Sequence, residues 1–433
     1  MDRNCTMCYT SHAKIFSSNV GDKGIERTGV KNLSIKGISY MRKRIAFINQ
    51  RYGAEVNGGS EYYTMLMAQK LSKKYEVEIL TSKALTYDHW ADYYMNDVEE
   101  INGIKVRRFG VRHKRMRIIQ KMIEKMILWL HLNFVWLNKI LIKVQGPYVP
   151  KLIQYMKENK ENYDAFVFVT YLYYPIVFGM PEVREKAVFV PTAHDEVNIY
   201  FKIFKHLFHL PKAFVYLTEE EKNFVHECFG TSDIYCQVAG VGIDLPKEIR
   251  AERFREKYKI YGDYIIYAGR VARNKGVEEM LRYFGQYVKQ NTGLSLVLIG
   301  KEYMHIPADK NIISLGFVPE QDKFDAIKGA KALWMPSQYE SLSIAVLEAM
   351  ALSVPVIVNG KSKVLKGHCC RSGGGVSYLG YKEFAEGMEY LFGRNYEIIC
   401  RNAKIYVESG YRWDIIIDKW EDVLNHIWSK QRN

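Results

Sequence analysis

Apolar residues first gather into a strand-sized run at Ile45-Ala46-Phe47-Ile48. After Asn57-Gly58-Gly59-Ser60, the positions Tyr63, Leu66, Met67 and Leu71 recur at helical spacing, and Val77-Glu78-Ile79-Leu80 returns to a short strand. Strand, glycine turn, helix and strand make a βαβ opening. Further short apolar runs at 165–170, 187–191 and 213–216 predict strands separated by helix-compatible or loop segments. The alternation restarts after Gly242-Ile243-Asp244-Leu245-Pro246, with strands predicted at 264–268, 295–299, 311–314, 332–335 and 354–358. An amphipathic helix over 414–428 closes the chain, with Ile417, Trp420, Val423, Leu424 and Ile427 on one face. This pattern predicts an α/β protein with two mainly parallel sheets flanked by helices. Residues 1–40 show no sustained period and are expected to be a poorly ordered extension, with Met41 as a candidate natural start; 41–246 and 247–412 form the two domains, and 413–433 the closing helix.

Length agrees with two domains, since 433 residues exceed one ordinary core. A hydrophobic share of 48% beside 25% charged residues excludes global disorder. The net charge of +14 draws anions: nucleotide phosphates, anionic headgroups or nucleic acid. No helix-turn-helix, zinc finger or aromatic ribonucleoprotein motif is present, so nucleic acid is not an expected partner. Seven cysteines, scattered and odd in number, predict a reducing cytoplasm rather than a disulfide framework. Cys5 and Cys8 have the spacing of half a zinc site without a second pair nearby, and no metal site is expected. The start of the chain lacks the apolar core of a secretory signal. The longest uncharged apolar run, Met126 to Leu137, falls short of the ~20 residues a helix needs to cross a bilayer.

The segment carrying most chemistry is Pro336-Ser337-Gln338-Tyr339-Glu340-Ser341-Leu342-Ser343-Ile344-Ala345-Val346-Leu347-Glu348. A strand ends, a loop carries one Glu, a helix begins, and a second Glu lies inside it. The N–H groups of Leu342, Ser343 and Ile344 at that helix start suit a diphosphate, because they are free and the helix dipole favours negative charge. Glu348 suits ribose hydroxyls and Glu340 a transferred sugar, since a carboxylate offers two acceptors to a diol. As an isolated pair the two would read as a helix-start charge and a solvated face residue. Upstream, however, Tyr267-Ala268-Gly269-Arg270-Val271-Ala272-Arg273-Asn274-Lys275-Gly276 places Arg270 and Lys275 after a strand and before a helix. Two such cations can neutralise a diphosphate leaving group.

These blocks, a Gly-Arg…Lys-Gly segment followed by Glu, seven residues and Glu, resemble glycosyltransferase family 4 over most of residues 44–430. The resemblance implies a GT-B fold: two facing Rossmann-like domains around a cleft, with the C-terminal helix crossing back to the N-terminal domain. It implies that Arg270 and Lys275 bind diphosphate, Glu340 the donor sugar and Glu348 the ribose, with the base at Gly316-Phe317-Val318. Arg51-Tyr52-Gly53-Ala54-Glu55-Val56-Asn57-Gly58-Gly59-Ser60-Glu61 resembles the family's glycine loop, in which Gly58 and Gly59 let donor phosphate or acceptor near the backbone. His194, in Pro191-Thr192-Ala193-His194-Asp195-Glu196, matches the family's active-site histidine. Two departures stand out: Ser343 where the family often has Gly, and Asn359-Gly360-Lys361 in place of Gly-Gly. Arg51-Tyr52-Gly53 together with Glu340-Ser341-Leu342-Ser343 resembles a bacterial subgroup tied to surface-polysaccharide assembly.

The resemblance further implies a retaining reaction in which a departing phosphate oxygen takes the acceptor proton. No Asp-x-Asp motif is present, so a metal-independent enzyme is expected, with the nucleotide-diphosphate sugar as co-substrate and no other cofactor. The acceptor is expected to be a glycan or lipid-linked glycan. Two segments are candidates for an anionic membrane surface at the inner face of the membrane: Arg112-His113-Lys114-Arg115-Met116-Arg117 leading into Met126 to Leu137, and Tyr200-Phe201-Lys202-Ile203-Phe204-Lys205-His206-Leu207-Phe208. Ordinary packing on the N-terminal sheet is the alternative for both. The alternatives in function are a phosphorylase or epimerase on the same architecture and a non-catalytic nucleotide-sugar-binding protein.

Overall fold

The computed structural model describes residues 42–56 and 58–430. The expected extension over 1–40, the start at Met41 and the Cys5–Cys8 pair lie outside the described residues. Two sheets follow one another. The first holds eight strands: β1 (Arg44–Ile48), β2 (Glu76–Ser82), β3 (Val98–Ile101), β4 (Ile104–Phe109), β5 (Ala165–Val169), β6 (Ala187–Val190), β7 (Ala213–Tyr216) and β8 (Tyr235–Val238). Their order is β3-β4-β2-β1-β5-β6-β7-β8, parallel throughout except for the antiparallel β3–β4 pair. The second holds β9 (Asp263–Ala268), β10 (Leu294–Ile299), β11 (Ile312–Ser314), β12 (Ala332–Met335), β13 (Val356–Asn359) and β14 (Gly375–Tyr378), all parallel, in the order β11-β10-β9-β12-β13-β14. Counted within its own lobe this is 3-2-1-4-5-6, the order of dinucleotide-binding sheets.

Every strand expected from the sequence is present to within two residues. β1 shows why such strands are legible: Ile45 and Phe47 enter one core cluster and Ala46 and Ile48 the other, so both faces are buried and the run is apolar throughout. β3, β4, β8 and β14 were not expected. β3, β8 and β14 form edges and carry polar residues or an opening glycine, while β4 alternates buried Ile104 and Val106 with half-exposed Lys105 and Arg107.

Helix α1 (Gly59–Leu71) follows the glycine loop and buries Tyr63, Met67 and Leu71 beside β1 and β2. The final helix, Trp413–Lys430, packs on β7 and β8 of the first sheet. Its Trp420 ring meets Phe47 of β1 at 6.2 Å, and the Trp428 indole donates to the Asp164 carbonyl at 3.2 Å. The buried stripe runs through Ile416, Trp420, Val423, Leu424 and Ile427; the expected Ile417 is half-buried, so the stripe starts one residue earlier than predicted.

The apolar run 126–137 is not one helix. α2 (Arg117–Trp129) ends within it, His131 takes φ +53°, and α3 (Val135–Gln145) begins a new direction. No helix among the described residues is long and apolar enough to cross a membrane. The second expected membrane segment is corrected by the structure: Phe201, Ile203, Phe204, Leu207 and Phe208 are buried in the first lobe's core, so its aromatics serve packing and Tyr200 alone of its aromatics is exposed.

Candidate active site between the two sheets

The topology switches direction between β9 and β12, and the chain ends leaving those two strands carry the second lobe's chemistry. Arg270 follows β9. A Cβ on Gly300, which has φ +140°, would lie 1.8 Å from the Gly269 carbonyl, so the ends of β9 and β10 approach closely only because that position is glycine. Lys275 sits in a short 3-10 turn closed by Gly276, φ +77°, whose added Cβ would meet the Pro336 carbonyl at 2.3 Å. That carbonyl accepts from Asn359 Nδ2 at 2.9 Å, and Asn359 Oδ1 accepts from the Lys361 N–H at 3.0 Å. The departure from Gly-Gly thus supplies a clamp on the loop after β12. Lys275 Nζ donates to Glu340 Oε1 at 2.7 Å, joining the two loops with opposite charges.

The helix Ile344–Ala351 opens without a side-chain cap. The Ser343 carbonyl accepts from Val346 and Leu347 N–H, while the N–H groups of Leu342, Ser343 and Ile344 meet no acceptor among the described residues. Ser343 has φ +64° and ψ 78°, a left-handed conformation that glycine tolerates better than serine. Beneath the turn, His368 Nε2 lies 2.8 Å from the Leu342 carbonyl and Nδ1 3.0 Å from the Tyr406 hydroxyl. Burial pulls the His368 imidazole down to about 4, so it is neutral and its one proton belongs on Nε2, facing the carbonyl. Because the peptide is planar and trans, holding the Leu342 carbonyl toward His368 aims the Ser343 N–H the other way.

Glu348 is buried one turn into the same helix. Burial raises its carboxyl, and Lys323, donating to Oε1 at 2.7 Å, pulls against that rise. Tyr62 of α1 reaches this group from the first lobe: burial and the nearby Glu348, Glu320 and Asp244 raise its hydroxyl well above the usual tyrosine value. Phe317 is exposed and Val318 buried at the turn after Gly316, φ +64°.

In the first lobe, Gly58 adjoins a buried carboxylate: a Cβ there would lie 2.1 Å from Glu61 Oε2. Glu61 accepts from Arg51 Nε at 2.6 Å, Tyr87 hydroxyl at 2.6 Å and Ser60 hydroxyl at 2.7 Å, so one carboxylate pins the glycine loop from below. His194 follows β6 through Thr192, a β-branched residue at φ +49°. Glu221 fixes the peptide before it: Oε1 accepts from the Ala193 N–H at 2.6 Å and Oε2 from the Leu217 N–H at 2.7 Å. Burial pushes the Glu221 carboxyl up to about 8 against the pull of these two donors. Burial also works against a charged His194, but Glu196 at 3.5 Å, the Thr192 backbone and Glu340 together outweigh it, and the imidazole is raised above its ordinary value. Tyr339 of the second lobe faces the His194 ring at 5.6 Å.

Every residue that the sequence assigned to the site, apart from Gly316, lines one cavity of about 550 Å³, a size suited to a small organic ligand. Gly58, Gly59 and His194 come from the first lobe; Arg270, Lys275, Phe317, Val318, Glu340, Leu342, Ser343, Ile344 and Glu348 come from the second. Tyr62, Lys323 and Tyr339 also line it and were not assigned from the sequence; nor were His368 and Glu221, which act from behind. Tyr339 was legible as the neighbour of Glu340, whereas the others arrive through tertiary contacts without a local motif. Among the described residues no cluster of three or more His, Cys, Asp or Glu could hold a metal ion.

Among solved structures, sucrose-phosphate synthase from Thermosynechococcus elongatus superposes with a TM-score of 0.65 at 14% identity, covering 90% of this chain and 100% of that one. The fold is GT-B. A second GT-B neighbour, Anabaena HepE in complex with UDP and glucose, gives a TM-score of 0.63 at 12% identity, covering 88% of this chain and 99% of that one. At such identities the likeness speaks for the GT-B architecture alone. Residues 248–367, within the second GT-B lobe, match the family model described as Glycosyl transferases group 1. The capsular polysaccharide biosynthesis glycosyltransferase CapM of Staphylococcus aureus is 24% identical over 201 residues, 42% of this chain and 52% of that protein. The alpha-D-kanosaminyltransferase of Streptomyces kanamyceticus is 25% identical over 136 residues, 28% of this chain and 35% of that protein. The chain spans about half the length of the curated relatives it matches.

Proposed function

We propose that this protein is a retaining glycosyltransferase of the family 4 type, moving a hexosyl group from a nucleotide-diphosphate sugar to a glycan or lipid-linked glycan in cell-surface polysaccharide synthesis, in the cytoplasm. One observation carries the reading: two cations, a helix mouth with free N–H groups and a buried carboxylate line a single cavity whose far wall holds His194 and the glycine loop. The group 1 family match and the CapM relative support the activity class, and the UDP held by HepE makes uridine diphosphate sugars the first donors to try.

In this mechanism Arg270, Lys275 and the N–H groups of Leu342 to Ile344 hold the diphosphate and stabilise the charge that develops as the bond from the anomeric carbon to phosphate oxygen breaks. The acceptor oxygen bonds to that carbon on the same face, and its proton passes to the departing phosphate oxygen. Glu348 accepts from ribose hydroxyls, Glu340 from the sugar, and the His194 backbone and ring border the reacting carbon. Catalysis then rests on positioning and charge rather than on a protein nucleophile or a metal.

The test is incubation with a panel of labelled nucleotide sugars and glycan acceptors in the presence of a metal chelator. Extension of an acceptor with retained anomeric configuration, lowered at least about a hundredfold in Arg270→Ala and Lys275→Ala, is expected. Donor consumed with no glycan extended, or activity that vanishes with the chelator, overturns the reading.

A further inference from the structure

The solvent face of α2 is unlike that of an ordinary surface helix. Its inward pole carries Gln120, Ile123 and Ile127, all buried. The opposite pole, where polar residues belong, carries Ile118, Met122 and Trp129 at i, i+4 and i+11, with exposures of 78%, 59% and 79%. α3 repeats the arrangement with exposed Trp136 and Ile140, and the turn between the helices adds exposed Leu130 and Phe134. Isolated exposed apolar residues need no explanation, but a continuous set with two tryptophans on adjoining helices does.

Charge decides the occupant. Between Arg112 and Lys143 the chain carries eight Lys or Arg and a single acid, Glu124, which is engaged by Gln120 at 2.7 Å. Lys121 and Lys125 flank the apolar stripe of α2, and Lys139 and Lys143 flank that of α3, all four exposed. Apolar side chains with aromatic anchors, bordered by cations on the same face, match the acyl boundary and anionic headgroups of one leaflet. A second copy of this chain would bring the same cations against each other.

The face also adjoins the candidate site. A cavity of about 510 Å³ is bordered on one side by Leu128 and His131 and on the other by Asp195, Tyr200 and Tyr339, the last of which faces His194.

We propose that α2 and α3 form a docking face for an anionic lipid bilayer, which sets the active cavity beside the membrane surface. This rests on the glycosyltransferase reading only for its purpose; binding to lipid is measured without any sugar nucleotide. The full chain is mixed at low salt with phosphatidylcholine vesicles, with and without phosphatidylglycerol, and sedimented. Retention on the anionic vesicles alone is expected, falling about fivefold for each cation removed in Lys121→Gln and Lys125→Gln, and lost in the combined variant Ile118→Ser, Met122→Ser, Trp129→Ser. These side chains are exposed, so circular dichroism of the variants should match the parent. Equal retention on both vesicle types, no retention, or concentration-dependent dimers in lipid-free sedimentation that the combined variant abolishes would each overturn the proposal. Donor consumption with a water-soluble acceptor is measured in parallel: its loss with vesicle binding intact counts against the proposed activity and leaves the docking face standing.

Discussion

His368 is fully buried and His194 only partly so, only His194 is paired with a carboxylate at close range, and their protonation moves in opposite directions. His194 is raised, so its ionised form adds stability fully present below the ordinary value of 6.5 and lost as pH rises through its folded value. Glu196, lowered by His194 and Tyr171 against the effect of burial, adds stability above its ordinary value and loses it on acidification. Replacing Glu196 by Gln leaves burial to act with far less opposition, and a nuclear magnetic resonance titration should then show the His194 proton released below pH 6.5; an unchanged titration would contradict the pairing. His368 has the reverse sign: its contribution is present above 6.5 and fades as pH falls toward about 4, so unfolding free energy should decline over that window in the parent and decline less in His368→Leu. At Glu348 the same reasoning predicts an effect on binding. Removing Lys323 in Lys323→Ala lets burial raise the carboxyl further, and affinity for a nucleoside diphosphate should drop about tenfold at neutral pH and recover in part in more alkaline buffer. Calorimetry that finds the same affinity at every pH would show that Glu348 is not a ribose acceptor.

Among the elements, the two strand ends at the site depend on backbone conformations that only certain residues hold cheaply. Ser343→Gly should stabilise the protein by about 1 kcal/mol, because the left-handed conformation at φ +64° is strained for serine. Gly300→Ala should destabilise it by roughly 1–3 kcal/mol and lower kcat/KM with it, since the new Cβ displaces the Gly269 carbonyl and the Arg270 loop behind it. Denaturant melts of the two variants that shift in the same direction would contradict this account. These elements also mark what a single sequence makes legible. Buried parallel strands such as β1 and β12 are apolar on both faces and are visible as runs, whereas β3 and β8 at the sheet edge mix polar residues into half-buried positions and give no such run. Arg270, Lys275, Glu340 and Glu348 were legible because each lies in a contiguous strand-loop-helix motif. Lys323, Tyr62, His368 and Glu221 reach the site across the fold, and no local spacing announces them. The segment 200–208 shows the converse error, since aromatics interleaved with cations look interfacial in sequence and turn out to fill a core.

In the molecule as a whole, the last helix leaves the second lobe and anchors in the first, so the chain crosses the cleft twice. Trp420, fully buried against β1, is the anchor. Trp420→Ala should cost about 3–5 kcal/mol, seen as a lower denaturant midpoint, while an unchanged midpoint would show that the helix is not integral to the first lobe. One further tie spans the cleft: Arg371 of the second lobe pairs with Glu220 of the first. The cavity lined by both lobes is where a sugar nucleotide would touch both at once. The most direct test is a crystal structure of the protein soaked with a nucleoside diphosphate in metal-free buffer. The account predicts the diphosphate between Arg270, Lys275 and the N–H groups of Leu342 to Ile344, with the ribose on Glu348 and the base at Phe317 and Val318. A diphosphate bound elsewhere, or an empty cleft at saturating ligand, would contradict it.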